Sequence, residues 1–151
     1  MTRYRQTSIL AMIIALVVTS PLVYWTLDWR PPVDVLSYKL SATQVRAGDT
    51  LYRDITVFRH RACRTDPTVI LIDGGRVRFN FEEPATDAPG PIGIVDTYRQ
   101  SIVIPLQAAP GKAELRVSIA RSCNPIQAIW PRVTVYDPIF FEILPHNGGK
   151  P

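Results

Sequence analysis

The sequence predicts an all-β domain, a sandwich of about seven strands, behind a single N-terminal transmembrane helix. Three observations carry this reading. Ile9 to Leu27 contains no charged side chain. From Val35 onward apolar residues recur at period two between turn signals, with no sustained 3.6-residue stripe. Cys63 and Cys123 stand far apart, both beyond the apolar segment.

The uncharged run holds 19 residues. At 1.5 Å per residue it spans about 28 Å, close to the roughly 30 Å hydrocarbon core of a bilayer. Tyr24, Trp25 and Trp29 gather at its far end and Tyr4 lies at its near end, where aromatic rings favour the headgroup region. Arg3 and Arg5 precede it, so the positive-inside rule puts residues 1–8 in the cytoplasm, the span at 9–27 and everything after it on the periplasmic or extracellular side. A cleaved signal peptide is the competing reading. Val18 and Ser20 suit a small-residue cleavage pattern, but Pro21 follows at once and the apolar run continues six residues past it, which favours an uncleaved anchor. No cysteine near the end of the run supports a lipoprotein. Pro21 is expected to kink or loosen the helix without further consequence.

The rest is one domain's worth of chain. Residues 28–34 read as a short stiff linker around Pro31 and Pro32, 35–144 as the sandwich, and 145–151 as a flexible tail. Seventeen basic side chains against 13 acidic ones are weak evidence for nucleic acid, and beyond a membrane that partner is not expected. The two cysteines allow one intramolecular pairing, and an oxidising compartment favours it as a structural disulfide. Closing a loop of about 60 residues is worth at most roughly 4 kcal/mol. A redox pair or zinc site is disfavoured: there is no C-x-x-C, and His60 and His146 do not obviously complete a ligand set.

The strands follow from alternation and turn chemistry. Val35–Leu40 comes first, then a turn at Ala47, Gly48 and Asp49. Leu51–Arg61 follows, with Leu51, Ile55 and Val57 on one face and Tyr52 and Phe58 on the other. The β-branched run Thr68–Ile72 suits a strand covered on both faces. Asp73, Gly74 and Gly75 read as a hairpin turn requiring positive φ. Val77, Phe79 and Phe81 alternate with polar residues. Glu82–Asp96, with three prolines and two glycines, reads as a long loop. Tyr98–Leu106 resumes the alternation, Pro110 to Lys112 turn the chain, and Glu114–Ser122 places Leu115, Val117 and Ile119 inward. Asn124 to Pro131 is a loop with exposed-looking apolar residues. Val133–Ile143 is the last strand, with an edge position or a bulge expected near Pro138.

Seven strands at regular spacing, two distant cysteines and the A-G-D-T-L stretch at Ala47–Leu51 resemble an immunoglobulin-like sandwich over about Val35–Leu144. Two departures stand out: no tryptophan occupies the third strand, and Cys63 lies past the second strand instead of within it. Another Greek-key sandwich is the alternative. The resemblance implies that the second and sixth strands end at one pole, which lets Cys63 and Cys123 bridge at the rim. It also implies a membrane-proximal basic and aromatic surface there, made of Arg59, Arg61, Arg64, Arg121 and Trp130. The acidic loop Glu82–Asp96 would arrive at the same pole and offset much of that charge.

No catalytic residues are expected. G-x-S-x-G, H-E-x-x-H and a phosphate-cradling glycine loop are all absent from the sequence, and no cofactor or metal is called for. The expected function is a non-catalytic binding or scaffolding module of the cell envelope, held by the bilayer through residues 9–27 and meeting an envelope protein partner. The alternatives are an envelope chaperone or assembly factor that offers a sheet edge, and a phage- or prophage-encoded envelope protein.

Overall fold

The computed structural model describes residues 2–28, 30–87 and 90–146; Trp29 and most of the expected tail lie outside them. Helix α1 spans Thr2–Leu27 and carries Pro21 within it. Its segment Ser8–Leu27 has a mean hydropathy of 2.1 and no part covered by the rest of the chain, so among the described residues there is one helix long and apolar enough to cross a membrane. Polar side chains within it are satisfied locally, as where the Thr19 hydroxyl donates to the Ala15 carbonyl at 2.8 Å.

Nine strands and one short helix follow: β1 Val33–Leu40, β2 Gln44–Arg46, β3 Thr50–Arg59, β4 Arg64–Ile72, β5 Arg78–Glu82, β6 Val95–Val103, β7 Gly111–Ser122, α2 Pro125–Ile129, β8 Arg132–Val135 and β9 Ile139–Leu144. They form two sheets. One has the order β1-β3-β6, and the other β2-β9-β7-β4-β5 with β8 also paired to β7. Leu51 and Ile102 of the first sheet, with Ile104 just beyond β6, meet Val69, Leu71, Leu115, Phe141 and Ile143 of the second in one buried cluster.

The expected count of about seven becomes nine for two reasons. The short β2 had no local signature, because it exists by parallel pairing with β9, as in Val45↔Ile143. The last strand divides where Pro138 predicted trouble: between the pairs Leu115↔Ile139 and Ser118↔Val135, Tyr136 to Pro138 oppose only Arg116 and Val117. That extra residue is a bulge. β4 is longer than Thr68–Ile72 and contains Pro67, which pairs with Ile119 on one side only, because β5 stops at Thr68↔Glu82. Proline is tolerated where no neighbour asks for its N–H.

Other expectations shift in detail. The turn after β4 has its positive φ at Arg76 (67°) and not at Gly74 or Gly75. Gly74 is needed for closeness instead, since a Cβ there would lie 2.3 Å from the Pro110 carbonyl oxygen. The loop after Cys123 holds α2, capped by Asn124, whose Oδ1 accepts the Gln127 N–H at 2.9 Å. β1 starts at Val33, inside the stretch read as linker. At the other end His146, assigned to the tail, places Nδ1 3.1 Å from the Ala47 carbonyl oxygen.

Candidate binding site between the sheets

The expected basic and aromatic surface does not form as a unit. Arg59 and Arg121 are buried, because each stands in phase with apolar residues that face inward along its strand. Arg59 pairs with Asp96 at 2.7 Å and lies over the Tyr98 ring. Arg121 donates to the Thr134 hydroxyl at 3.0 Å and to the Tyr136 hydroxyl at 2.7 Å. Arg61 holds the end of α1: it bonds both carboxylate oxygens of Asp28, at 2.5 and 3.2 Å, and the Arg30 carbonyl at 2.8 Å. Arg64 is exposed and 3.5 Å from the equally exposed Asp87. Trp130 is exposed beside Ile129 on α2. As expected, carboxylates of the acidic loop and its end, Asp87 and Asp96, answer two of the arginines.

Cys63 and Cys123 form a disulfide with Cα atoms 4.5 Å apart. They flank the pair Arg64↔Ser122, so the bridge staples the adjacent ends of β4 and β7 within one sheet. The same end of the domain receives α1. Asn124 Nδ2 donates to the Trp25 carbonyl and Gln127 Nε2 to the Asp28 carbonyl, both at 3.3 Å, while Gln127 Oε1 accepts the Cys123 N–H at 2.9 Å. Gln127 is buried between the two. The Arg61 hydrogen bond holds the Asp28 carboxyl below the usual aspartate range, against an opposing effect of burial.

Between the sheets, toward the α1 end, lies a cleft of about 1090 Å³ whose lining mixes apolar side chains with charged and phenolic ones. Its chemistry comes from the inward faces of β3, β6 and β7. On β3 the residues Leu51, Arg53, Ile55, Val57 and Arg59 all point in, and all are buried. Arg53 is 1% exposed. Its Nη2 donates to Glu83, whose other oxygen accepts from Gln100 Nε2 at 3.3 Å. Arg53 Nε and Nη1, Arg121 Nε and the Tyr38 hydroxyl are buried without a hydrogen-bond partner. Burial pushes the Tyr38 and Tyr98 hydroxyls above the ordinary tyrosine pKa, with the nearby Arg53, and Arg59 for Tyr98, pulling the other way. A second recess of about 700 Å³ at the α1 end shares Val33, Val35, Arg121 and Tyr136 with the cleft and adds Arg30 and Arg61.

Arg53 was missed in the sequence, although the signal was there. Period two put it in register with Leu51, Ile55 and Val57, as it put Arg121 in register with Leu115, Val117 and Ile119. No histidine or cysteine lines the larger cleft. His60 is on the outer face, 2.8 Å from Asp34. Among the described residues no group of three or more histidine, cysteine, aspartate or glutamate side chains is placed to hold a metal. What the arrangement can do is present fixed cationic and phenolic donors to a ligand.

No family model and no curated protein matches the sequence. Among the solved structures that resemble the chain are the following. An alkylpurine DNA glycosylase of Pseudomonas fluorescens, AlkC, bound to abasic-site DNA, aligns over 74% of this chain at 13% identity and a TM-score of 0.49. The sporulation control protein Spo0M of Bacillus subtilis aligns over 78% at 13% and 0.45. A family 123 glycoside hydrolase of Clostridium perfringens aligns over 76% at 11% and 0.44. This chain spans 30%, 51% and 28% of those proteins, respectively.

Proposed function

We propose that the protein is a single-pass, non-catalytic binding module of the cell envelope, which takes its ligand into the cleft between its sheets. Residues 1–8 face the cytoplasm and the sandwich stands on the periplasmic or extracellular side, a reading supported by Arg3 and Arg5 before the span and by the paired cysteines. The order β1-β3-β6 against β9-β7-β4 fits an immunoglobulin-like sandwich that lacks the fourth strand of its first sheet and carries β5 as an extra strand on the second. Such folds host many tasks, so function is argued from the site.

The observation that carries the proposal is the cleft. Sandwich interiors ordinarily fill with interdigitated apolar side chains, whereas here a cleft of about 1090 Å³ separates the sheets and sets the buried Arg53, Arg59 and Arg121 among its apolar lining. Photo-crosslinkers in living cells at Gln100, on the cleft, and at Lys112, at the far end, test it. Capture of a defined species from Gln100 is expected. Capture from Lys112 alone would move binding to the far loops. A C-terminal reporter active only outside the cytoplasm tests the topology.

A second reading rests on β6. Its nine residues pair with β3 alone and contain no proline, so its outer edge is open to an extended client strand. The edge strand β8 is poorer, because Pro131 and Pro138 bracket its four residues. Crosslinking from Val103, exposed on β6 and outside the cleft, distinguishes strand addition from cleft binding.

A further inference from the structure

We infer that the ligand of the cleft carries an oxyanion, a phosphoryl or carboxylate group, held by Arg121 and Arg53; this rests on the cleft-binding reading above. The charge balance inside the cleft points to it. Arg53 has Glu83 and Arg59 has Asp96, but the hydrogen-bond partners of Arg121 are the neutral hydroxyls of Thr134 and Tyr136. Asp137 lies at the rim, exposed, and makes no ion pair with it. Arg121 is nevertheless 5% exposed. A buried guanidinium without a counter-charge is strongly disfavoured, and an anion entering the cleft relieves that.

The unfilled donors come from both walls of the cleft. Arg121 Nε on one wall and Arg53 Nε and Nη1 on the other are buried without a hydrogen-bond partner, while the Tyr38 hydroxyl, also buried, lies beside Arg53. Tyr98 and Tyr136 also line the cleft: Arg59 lies over the Tyr98 ring, and the Tyr136 hydroxyl accepts from Arg121 at 2.7 Å. Guanidinium groups and phenols converging from two sheets suit the several acceptor oxygens of a phosphoryl or carboxylate group. The neighbouring recess adds Arg30, three residues beyond the end of the apolar helix at Leu27. An anion can therefore arrive from solution or as the headgroup of a lipid.

The test is thermal unfolding of the full-length protein in phosphatidylcholine nanodiscs. Inorganic phosphate and acetate are compared with chloride at matched ionic strength. At saturation phosphate or acetate should raise the midpoint by about 10 °C over chloride, the shift expected for a ligand at roughly a hundred times its Kd. Nanodiscs containing phosphatidylglycerol separate the sources: a shift there without added soluble anion assigns the site to a lipid headgroup, and a shift only with soluble anion assigns it to a free molecule. Arg121→Met removes the charge at similar volume. It should fold with an unchanged or higher midpoint in chloride and lose the anion response. Equal midpoints of the parent protein in phosphate, acetate, chloride and both lipid compositions would mean that water alone fills the donors, and the inference falls. It also falls if Arg121→Met keeps the full response, or if the variant unfolds in chloride, as a purely structural arginine requires. If the anion arms fail while Gln100 still captures a ligand, the cleft binds something uncharged and only the oxyanion is lost.

Discussion

Asp73, 2% exposed, uses both carboxylate oxygens on backbone donors. Oδ1 accepts the Gly75 and Val77 N–H groups at 2.9 and 2.8 Å, and Oδ2 accepts the Ala109 N–H at 2.7 Å. It therefore fixes its own turn and ties that turn to the loop before β7. Asp73→Ala leaves three donors without this acceptor and should cost about 2–4 kcal/mol, read from denaturant midpoints of the full-length protein in detergent. Asp73→Asn keeps one acceptor oxygen and should lose less. Equal loss in both variants would mean that the negative charge, not the acceptor geometry, holds the turn. The sequence made half of this legible. D-G-G marks a turn from local chemistry alone, but nothing nearby in sequence announces Ala109. The inward arginines follow the same division. Alternation fixes the face on which Arg53, Arg59 and Arg121 lie, yet their charge argued for the surface. The partners that make burial tolerable, Glu83 for Arg53 and Asp96 for Arg59, lie 30 and 37 residues away.

At the scale of elements, β7 organises the second sheet: β4 runs along one side of it, and β8 and β9 share the other. The disulfide closes the β4–β7 ladder at its α1 end, next to Arg64↔Ser122. That half of the ladder lies beside the open cleft, whereas Leu71↔Leu115 lies in the dry cluster. Replacing Cys63 and Cys123 together by serine should cost about 2–4 kcal/mol in global stability. The loss should not be uniform. Hydrogen exchange should quicken first at Arg64–Thr65 and Ala120–Ser122, while Leu71 and Leu115 stay protected. Uniform acceleration would show that the bridge acts only through the unfolded chain. The pairing of the cysteines was readable from compartment and number, and its place at the rim from the immunoglobulin-like resemblance, but not which strands it joins. Spacing shows that two strand ends can meet, and only the strand order shows that they are neighbours in one sheet. Proline was more informative: Pro138 marked the bulge between β8 and β9, because a residue without an N–H cannot continue a ladder.

For the whole molecule, the junction decides how the domain is carried. Residues 28–34 read as a stiff but free spacer, yet Arg61, Asn124 and Gln127 reach across it to Asp28, Arg30 and Trp25. The domain should therefore keep one orientation relative to α1. Asp28 gives that contact a pH dependence whose sign is fixed. Arg61 lowers its folded-state pKa, so the contribution is present above the ordinary aspartate value of about 4 and is lost as pH falls through the lowered value. Arg61→Ala should reproduce the acid state at neutral pH. Because Arg61 is partly exposed, global stability should change by no more than about 1 kcal/mol. The readout is orientation: electron-spin distances between spin-labelled residues at Ser8 in α1 and Lys112 at the far end, with the disulfide left intact. The distribution should be narrow at neutral pH and broaden in Arg61→Ala, and in the parent protein it should stay narrow through the ordinary aspartate range of about pH 4 and broaden only below it. A narrow distribution in the variant would assign the junction to the Asn124 and Gln127 side chains, which do not titrate, and the acid broadening should then vanish as well.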